Sequence, residues 1–449
     1  MLGPSFIILA LGFGSGEVIL WPYLVSNVGL GIAWAALLGI TFQYFINMEI
    51  ERYALVRGES VFVGFVRFWK LAPYWFIAST FVGFGLPGII AAAAEVFASL
   101  LGISQFKWIA MGLLIGLGVL LSASRTVYGS LERITKTIIF LGLPFICALT
   151  LALSDASDWL ALGQGLLGNG EGYRWFAPGL SLATFLAAFA YSGAGGNLNL
   201  TQSIYIKEKG YGMGFYAQKI AGLFTTLTTG QRLELEGQAA QPTPENIALF
   251  GRWWKKINAE HLLVFWLLGF VGITLLMLLA HATAYGVASS SQGIQFVITE
   301  GAAITERLGK ILGTIFLAVI GVMLVQTQLG VLDSTSRIMA ENAVLAKRAS
   351  DKPINLSRIY FGFIWAQIAF GVLLFSFNIY EPRSLIVLGA VINAVAMTVH
   401  IALTTLLNRR ALEKVFQPAI WRQIILSIIF LFFAIFSGIT LVDSLQKLA

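Results

Sequence analysis

A chain of 449 residues that is 57% hydrophobic and 11% charged, with mean hydropathy +0.81, is a polytopic membrane protein and not a soluble globular one. Its net charge of +7 would suggest a nucleic-acid partner in a soluble protein; lying between apolar runs, it marks loops that face anionic lipid, so a bilayer and no nucleic acid is expected as partner. The single cysteine, Cys147, sits in an apolar run and excludes an intramolecular disulfide.

A crossing takes roughly 20 apolar residues. Residues 3–28 form one without a basic leader, which predicts a first span and no cleavable signal. Midway through it comes Gly12-Phe13-Gly14-Ser15-Gly16-Glu17. Ordering glycine costs the most backbone entropy, so this run should unwind a helix at its centre. Unwound backbone at membrane depth persists only where protein or a water-filled cavity satisfies it, and a carboxylate there reads as functional. Gly14, Ser15 and Glu17 are therefore candidate site residues, although Glu17 could also cap the second half-helix.

Further crossings are predicted at Leu30–Met48, Leu71–Ser104 (interrupted by Glu95), Trp108–Ser124, Thr137–Ser154, Trp175–Ile206, Leu262–Ala280, Ile311–Leu332, Ile359–Tyr380, Ser384–Leu407 and Gln423–Val442, about 11 in all. The sixth repeats the anomaly of the first, with Ser192-Gly193-Ala194-Gly195-Gly196-Asn197 at its centre. Five crossings separate the two, so they start from opposite sides, which is the pattern of inverted-repeat transporters. The chain then divides into 1–154 (spans one to five), 155–407 (spans six to ten, including a long connection at 207–258) and 408–449 (span eleven). Close helix packing is the alternative role for such glycines. Gly12, Gly14 and Gly16 would spread around a helix and not along one face, which favours unwinding.

With the N-terminus cytoplasmic and the C-terminus outside, every Lys and Arg except Lys107, Arg174, Arg307, Lys310, Arg383 and Lys447 falls on the inner side. The bacterial inner membrane is the expected location. In the connection 207–258, Thr243 is placed to cap a helix with Pro244 at its first position, and Trp253-Trp254-Lys255-Lys256 reads as an interfacial anchor.

Among the remaining polar residues, Glu95 is a candidate proton relay or a hydrogen-bonded structural group. His281 and His400 are expected to bond neighbouring helices. Asp333 and Arg337 should cap or pair where the eighth span ends, and Arg125, Glu132 and Arg133 should form a salt-bridge network in a loop. No nucleophile–base pair, catalytic metal cluster, phosphate loop or dinucleotide motif is present, so neither an enzyme, a cofactor nor a nucleotide-driven pump is expected.

Gly3-Pro4, Gln43, Glu51-Arg52 through Gly58-Glu59, Gly129-Ser-Leu-Glu132, Asn197-Leu-Asn-Leu and Gln326 together resemble the Nramp (natural-resistance-associated macrophage protein) divalent-metal transporters, of which the chain looks like a divergent member. The resemblance implies an all-α, LeuT-type 5+5 inverted repeat with helices one and six broken. It further implies alternating access, in which these helices rock against a scaffold of spans three, four, eight and nine, often with proton coupling. The family's Asp-Pro-Gly-Asn motif aligns with Gly14-Ser15-Gly16-Glu17, and its sixth-span Met and His align with Ala194 and Gly196. Loss of the thioether removes the soft ligand. Oxygen remains: Glu17, Ser15, Ser192, backbone carbonyls near Gly193 and Ala194, and the amides of Asn197 and Gln326. Such donors suit a hard, Mg²⁺-like divalent ion held by Glu17, with Glu17 or Glu95 carrying a coupling proton. A small organic solute, or a sensor that moves nothing, are the other readings.

Overall fold

The computed structural model describes residues 3–123, 127–216, 235–287, 293–347 and 355–446. Arg125, Lys219, Arg232, Arg348, Lys352 and Lys447, counted above among the basic residues, lie outside them, as does 217–234 of the long connection. Nine helices among the described residues are long and apolar enough to cross a membrane. The 17-residue Lys107–Ala123 and a divided segment, Leu182–Ala190 followed by Thr201–Lys209, stand where the fourth and sixth crossings were expected.

The first helix (Pro4–Val28) is buried along almost its whole apolar length. The last (Ile420–Gln446) is not. Ile424, Ile428, Leu431, Ile435 and Ile439 are exposed along one face, while Leu426, Ile429 and Phe433 are buried on the other. An apolar stripe at helical spacing that faces outward is what a lipid-contacting helix requires. The eighth helix (Lys310–Ala346) packs on the third, first, ninth and fifth; the third, fourth, eighth and ninth pack as one group, and the tenth (Pro382–Ala411) lies against the sixth and third.

Several boundaries differ from the sequence reading for identifiable reasons. The third segment is interrupted not at Glu95, which is helical, but between Phe84 and Gly88, where Pro87 cannot supply a helical N–H. The fifth helix runs Val127–Leu153, and its polar start is no loop: Glu132 and Lys136 pair at 2.6 Å one turn apart inside it. The eighth continues to Ala346 because Asp333 and Arg337, also four apart, pair at 2.8 Å and so extend the helix instead of ending it. Thr243 does cap, its Oγ1 accepting from Asn246 N at 3.3 Å, and the helix begun at Pro244 runs on into the seventh crossing as far as Ala284. Trp254 lies under the Arg52 guanidinium, 3.9 Å from its ring centre, so this half of the expected anchor packs on protein.

The end of the bundle that carries Gly3 is closed by charge. Arg337, 1% exposed, donates to Asp333 and, at 3.0 Å, to Glu208 of the sixth segment, while Tyr360 and Tyr205 donate to Asp333 at 2.6 and 3.1 Å. Glu49 joins Arg52 and Arg422, Glu59 takes Arg67, and Glu132 takes Lys209 as well as Lys136. At the opposite end, Tyr173 donates to Val28 O at 2.8 Å, and burial raises its phenol to about 12.

Candidate functional site

Both expected breaks are present, and they meet. In the first helix the break is narrower than the glycine run suggested. Phe13 (ψ 52°) and Gly14 (φ −153°, ψ −88°) leave the helical region, and a widened turn over Ser15–Leu20 follows. In the sixth segment, helix gives out after Ala190 and resumes at Gly196. Gly193 (φ +104°) and Gly195 (φ +67°) occupy the left-handed region, where a side chain would be strained.

The glycines let backbone touch backbone. A Cβ on Gly12 would lie 2.9 Å from Gly193 Cα, and one on Gly16 would overlap the Tyr191 carbonyl. Unwinding and close packing, posed as alternatives from the sequence, are therefore both at work. Glu17 crosses from one break to the other: its Oε1 accepts from Gly193 N at 2.8 Å. The carboxylate is fully buried and its Oε2 has no hydrogen-bond partner among the described residues. Beside it, Trp21 Nε1 donates to Ser192 Oγ at 2.9 Å, and Ser192 donates to Ala188 O at 3.1 Å.

Carbonyls freed by the breaks need donors at membrane depth, and neighbouring helices provide them. Thr327 Oγ1 of the eighth helix lies 2.9 Å from Ala10 O and 3.0 Å from Phe13 O. Gln43 of the second donates to Ala190 O at 2.8 Å. His400 of the tenth lies 3.0 Å from Gly196 O, its Nε2–H donating.

Of the residues expected to form the site, Glu17, Ser192 and Gly193 come together, with Gly14, Ser15 and Ala194 buried in the same two breaks. Two others turn to different partners. Asn197 donates to Ser79 Oγ and Thr80 Oγ1 at 2.8 and 2.9 Å, tying the sixth segment to the third helix. Gln326 donates to Thr135 Oγ1 at 3.2 Å, tying the eighth to the fifth. Glu95 is half-buried and accepts from Gln295 at 2.9 Å, in the second half of its helix and apart from the breaks. His281 pairs with Asp158 at 2.8 Å. Among the described residues no three His, Cys, Asp or Glu are grouped to hold a metal ion.

Thr327 and His261 are not among the residues expected from the sequence. Thr327 carries no signal in an apolar run, and His261 stands between the connection 207–258 and the predicted seventh span. Gln43, Asn47 and Glu51 do carry one: they recur four apart, so a helix running beyond Met48, as this one does to Arg57, puts them on one face.

No family profile matches the chain, and no curated protein matches it in sequence. Solved structures do match in shape. A manganese transporter of Eremococcus coleocola, in complex with an aromatic bis-isothiourea substituted compound, superposes with TM-score 0.70 at 13% identity, over 98% of this chain and 85% of that one. A mutant of that transporter gives TM-score 0.68 over the same shares. MhsT in complex with L-phenylalanine gives 0.54 at 15% identity, over 98% and 97%. The chain is thus an integral membrane protein with the LeuT-type fold that these transporters share.

Proposed function

We propose that this chain is a secondary transporter working by alternating access, with its cargo held where the two broken helices cross and Glu17 as the carboxylate that meets it. The observation that carries this reading is the Glu17–Gly193 hydrogen bond. A buried carboxyl group reaches from one broken helix to a free N–H of the other, at the place where such folds gather half-helix ends around a substrate. The manganese and phenylalanine named for the similar structures make cations and small organic solutes the classes to test. The end carrying Gly3, where the basic residues gather, is the cytoplasmic one.

A hard divalent ion is the first cargo to test. Glu17 Oε2 has no partner among the described residues, Ser15 and Ser192 add hydroxyls, and neither break itself carries a methionine to favour a softer metal. A small organic cation is the second reading, favoured by a specific feature: Glu17 is a single carboxylate, and the carbonyls of Ala10, Phe13, Ala190 and Gly196 are already engaged by protein donors.

Uptake of Mg²⁺, Mn²⁺ and Ca²⁺ into proteoliposomes, by the native chain and by Glu17→Gln, tests both. Saturable uptake of an ion, lost in the variant, supports the metal reading. Folded protein that passes none of the three overturns it, and small amines are then assayed with the same pair. Uptake of any cargo that is undiminished in Glu17→Gln overturns the site.

A further inference from the structure

A second polar cluster lies between the breaks and the basic end, on the face of the second helix that carries Gln43, Asn47 and Glu51. All three are fully buried. Gln43, already bonded to the sixth-segment break, also accepts from Asn199 Nδ2 at 2.6 Å. Two turns on, Glu51 Oε1 accepts from Gln202 Nε2 at 2.6 Å and lies 3.4 Å from His261 Nδ1, which is itself 3.1 Å from Ser5 Oγ. Asn47 makes no side-chain hydrogen bond at either amide atom, and Glu51 Oε2, Gln202 Oε1, Asn199 Oδ1 and His261 Nε2 are buried without partners among the described residues. Each such atom costs on the order of 1–3 kcal/mol if nothing serves it, so a concentration of them in one place calls for a functional explanation.

The same cluster fastens both broken helices at their inner ends. Gln202 belongs to the sixth segment and is held by Glu51. Ser5 belongs to the first and meets His261, while Gly3 N donates to Glu260 Oε1 at 3.1 Å. The holding groups therefore sit on the second and seventh segments, and the groups they hold sit on the two helices that an inward opening must release.

We propose that Glu51 and His261 form a proton-binding site, distinct from Glu17, whose occupation by a proton from the cytoplasm releases the inner ends of the first and sixth helices. The proposal rests on the transporter reading and adds its coupling ion. Without the added proton, the Glu51 carboxylate holds Gln202 by a charge-assisted bond, about twice as strong as a neutral one. One proton taken up on Glu51 removes that charge and leaves Gln202 on a neutral acceptor, and the new carboxyl O–H, facing His261 Nδ1 at 3.4 Å, competes with the Ser5 hydroxyl for that nitrogen, so the hold on Gln202 and Ser5 weakens.

The other ionisable groups that face the pair are on different duties. The second helix brings Glu49, which is paired with Arg52 and Arg422, and Tyr44, stacked on the His261 ring. The seventh segment brings Glu260, which holds Gly3 N and takes Tyr211 Oη at 3.4 Å. The fifth brings Glu132, paired with Lys136 and Lys209. The first half of helix one, Pro4–Gly14, has no ionisable side chain.

The test reads the gate directly and needs no cargo. In full-length protein with Cys147→Ala, Ile7→Cys places a thiol on the inner half of the first helix at a position 1% exposed. Its labelling rate by a small thiol reagent, corrected for thiolate fraction, is followed from about pH 8 to pH 5. The expected result is a rise of about tenfold on acidification, the effect of one pKa unit of coupling. That rise should vanish in Glu51→Gln and in His261→Gln, return in Glu51→Asp, and persist in Glu17→Gln. A pH dependence that survives both Glu51→Gln and His261→Gln, or that disappears in Glu17→Gln, overturns the proposal. Absence of uptake in the liposome assay would count against the transporter reading and leaves this measurement standing by itself.

Discussion

Glu17 and Gly193, 176 positions apart in the chain, are joined by a 2.8 Å hydrogen bond between a buried carboxylate and a backbone N–H. Each lies in a helix interrupted by glycine, and neither interruption is independently stable at membrane depth. The first break borrows Thr327, the sixth borrows Gln43 and His400, and each borrows from the other.

That mutual dependence can be tested by adding one methyl group. Gly16→Ala would push a Cβ into the Tyr191 carbonyl, which is backbone and cannot swing aside. Overpacking of this kind costs typically 1–3 kcal/mol, about that range being expected here. A lowered thermal midpoint in detergent is therefore the expected outcome. Gly112→Ala and Gly116→Ala, where a Cβ meets nothing within 4 Å, should be neutral or raise it slightly, since Ala is the better helix former.

Arg337 gives a second test. Its replacement by Ala takes the guanidinium away from the fully buried Asp333 and removes one partner from Glu208. Breaking a buried pair in this way costs about 3–5 kcal/mol, which should show as a large drop in folded yield and thermal midpoint. Lys136→Ala removes a pair that is partly solvated, the lysine being 30% exposed, and should cost no more than about 1 kcal/mol.

A third test lies outside the membrane. Asp155 opens the helix Ala156–Leu166 with a reciprocal cap, its side chain accepting from Ser157 N and Asp158 N while the Asp158 side chain accepts from Asp155 N. The Ser157 hydroxyl, then the backbone N–H groups of Asp158 and Ser157, hold its carboxyl below the ordinary range. A lowered folded value means the cap stabilises above the unfolded pKa of about 3.9 and is lost as pH falls through the lower, folded one. The gap in thermal midpoint between native protein and Asp155→Ala should accordingly be constant at neutral pH and close in acid.

The places where helices break were legible in the sequence, because glycine at Gly12, Gly14 and Gly16, and again at Gly193, Gly195 and Gly196, leaves a mark in composition. Where charged residues lie inside helices the reading failed. Glu132–Lys136 and Asp333–Arg337 look like loop ends when hydropathy alone is followed, yet each is a pair one turn apart that neutralises itself. The candidate site was legible as a place more than as a set of contacts. Glu17 and Ser192 lie at the two breaks, where polar residues have few roles. Asn197 and Gln326 bond to the third and fifth helices instead, since an amide beside a break serves equally well as a brace to the next helix. The cluster at Glu51 and His261 depends on three segments meeting, and only the spacing of Gln43, Asn47 and Glu51 hinted at it.

The eighth helix has 37 residues, a rod of roughly 56 Å at 1.5 Å per residue. A hydrocarbon core is about 30 Å thick. The rod is therefore longer than the core is thick, and the Asp333–Arg337 pair that it carries is buried in protein and neutralises itself. Thr327, which serves the first break, and Arg337, which holds Glu208 of the sixth segment, are ten residues apart on this one rigid body, about 15 Å along its axis. The two broken helices thus share a common ruler. Spectroscopic labels placed on the eighth helix would give a fixed frame against which the displacement of each half-helix can be measured separately.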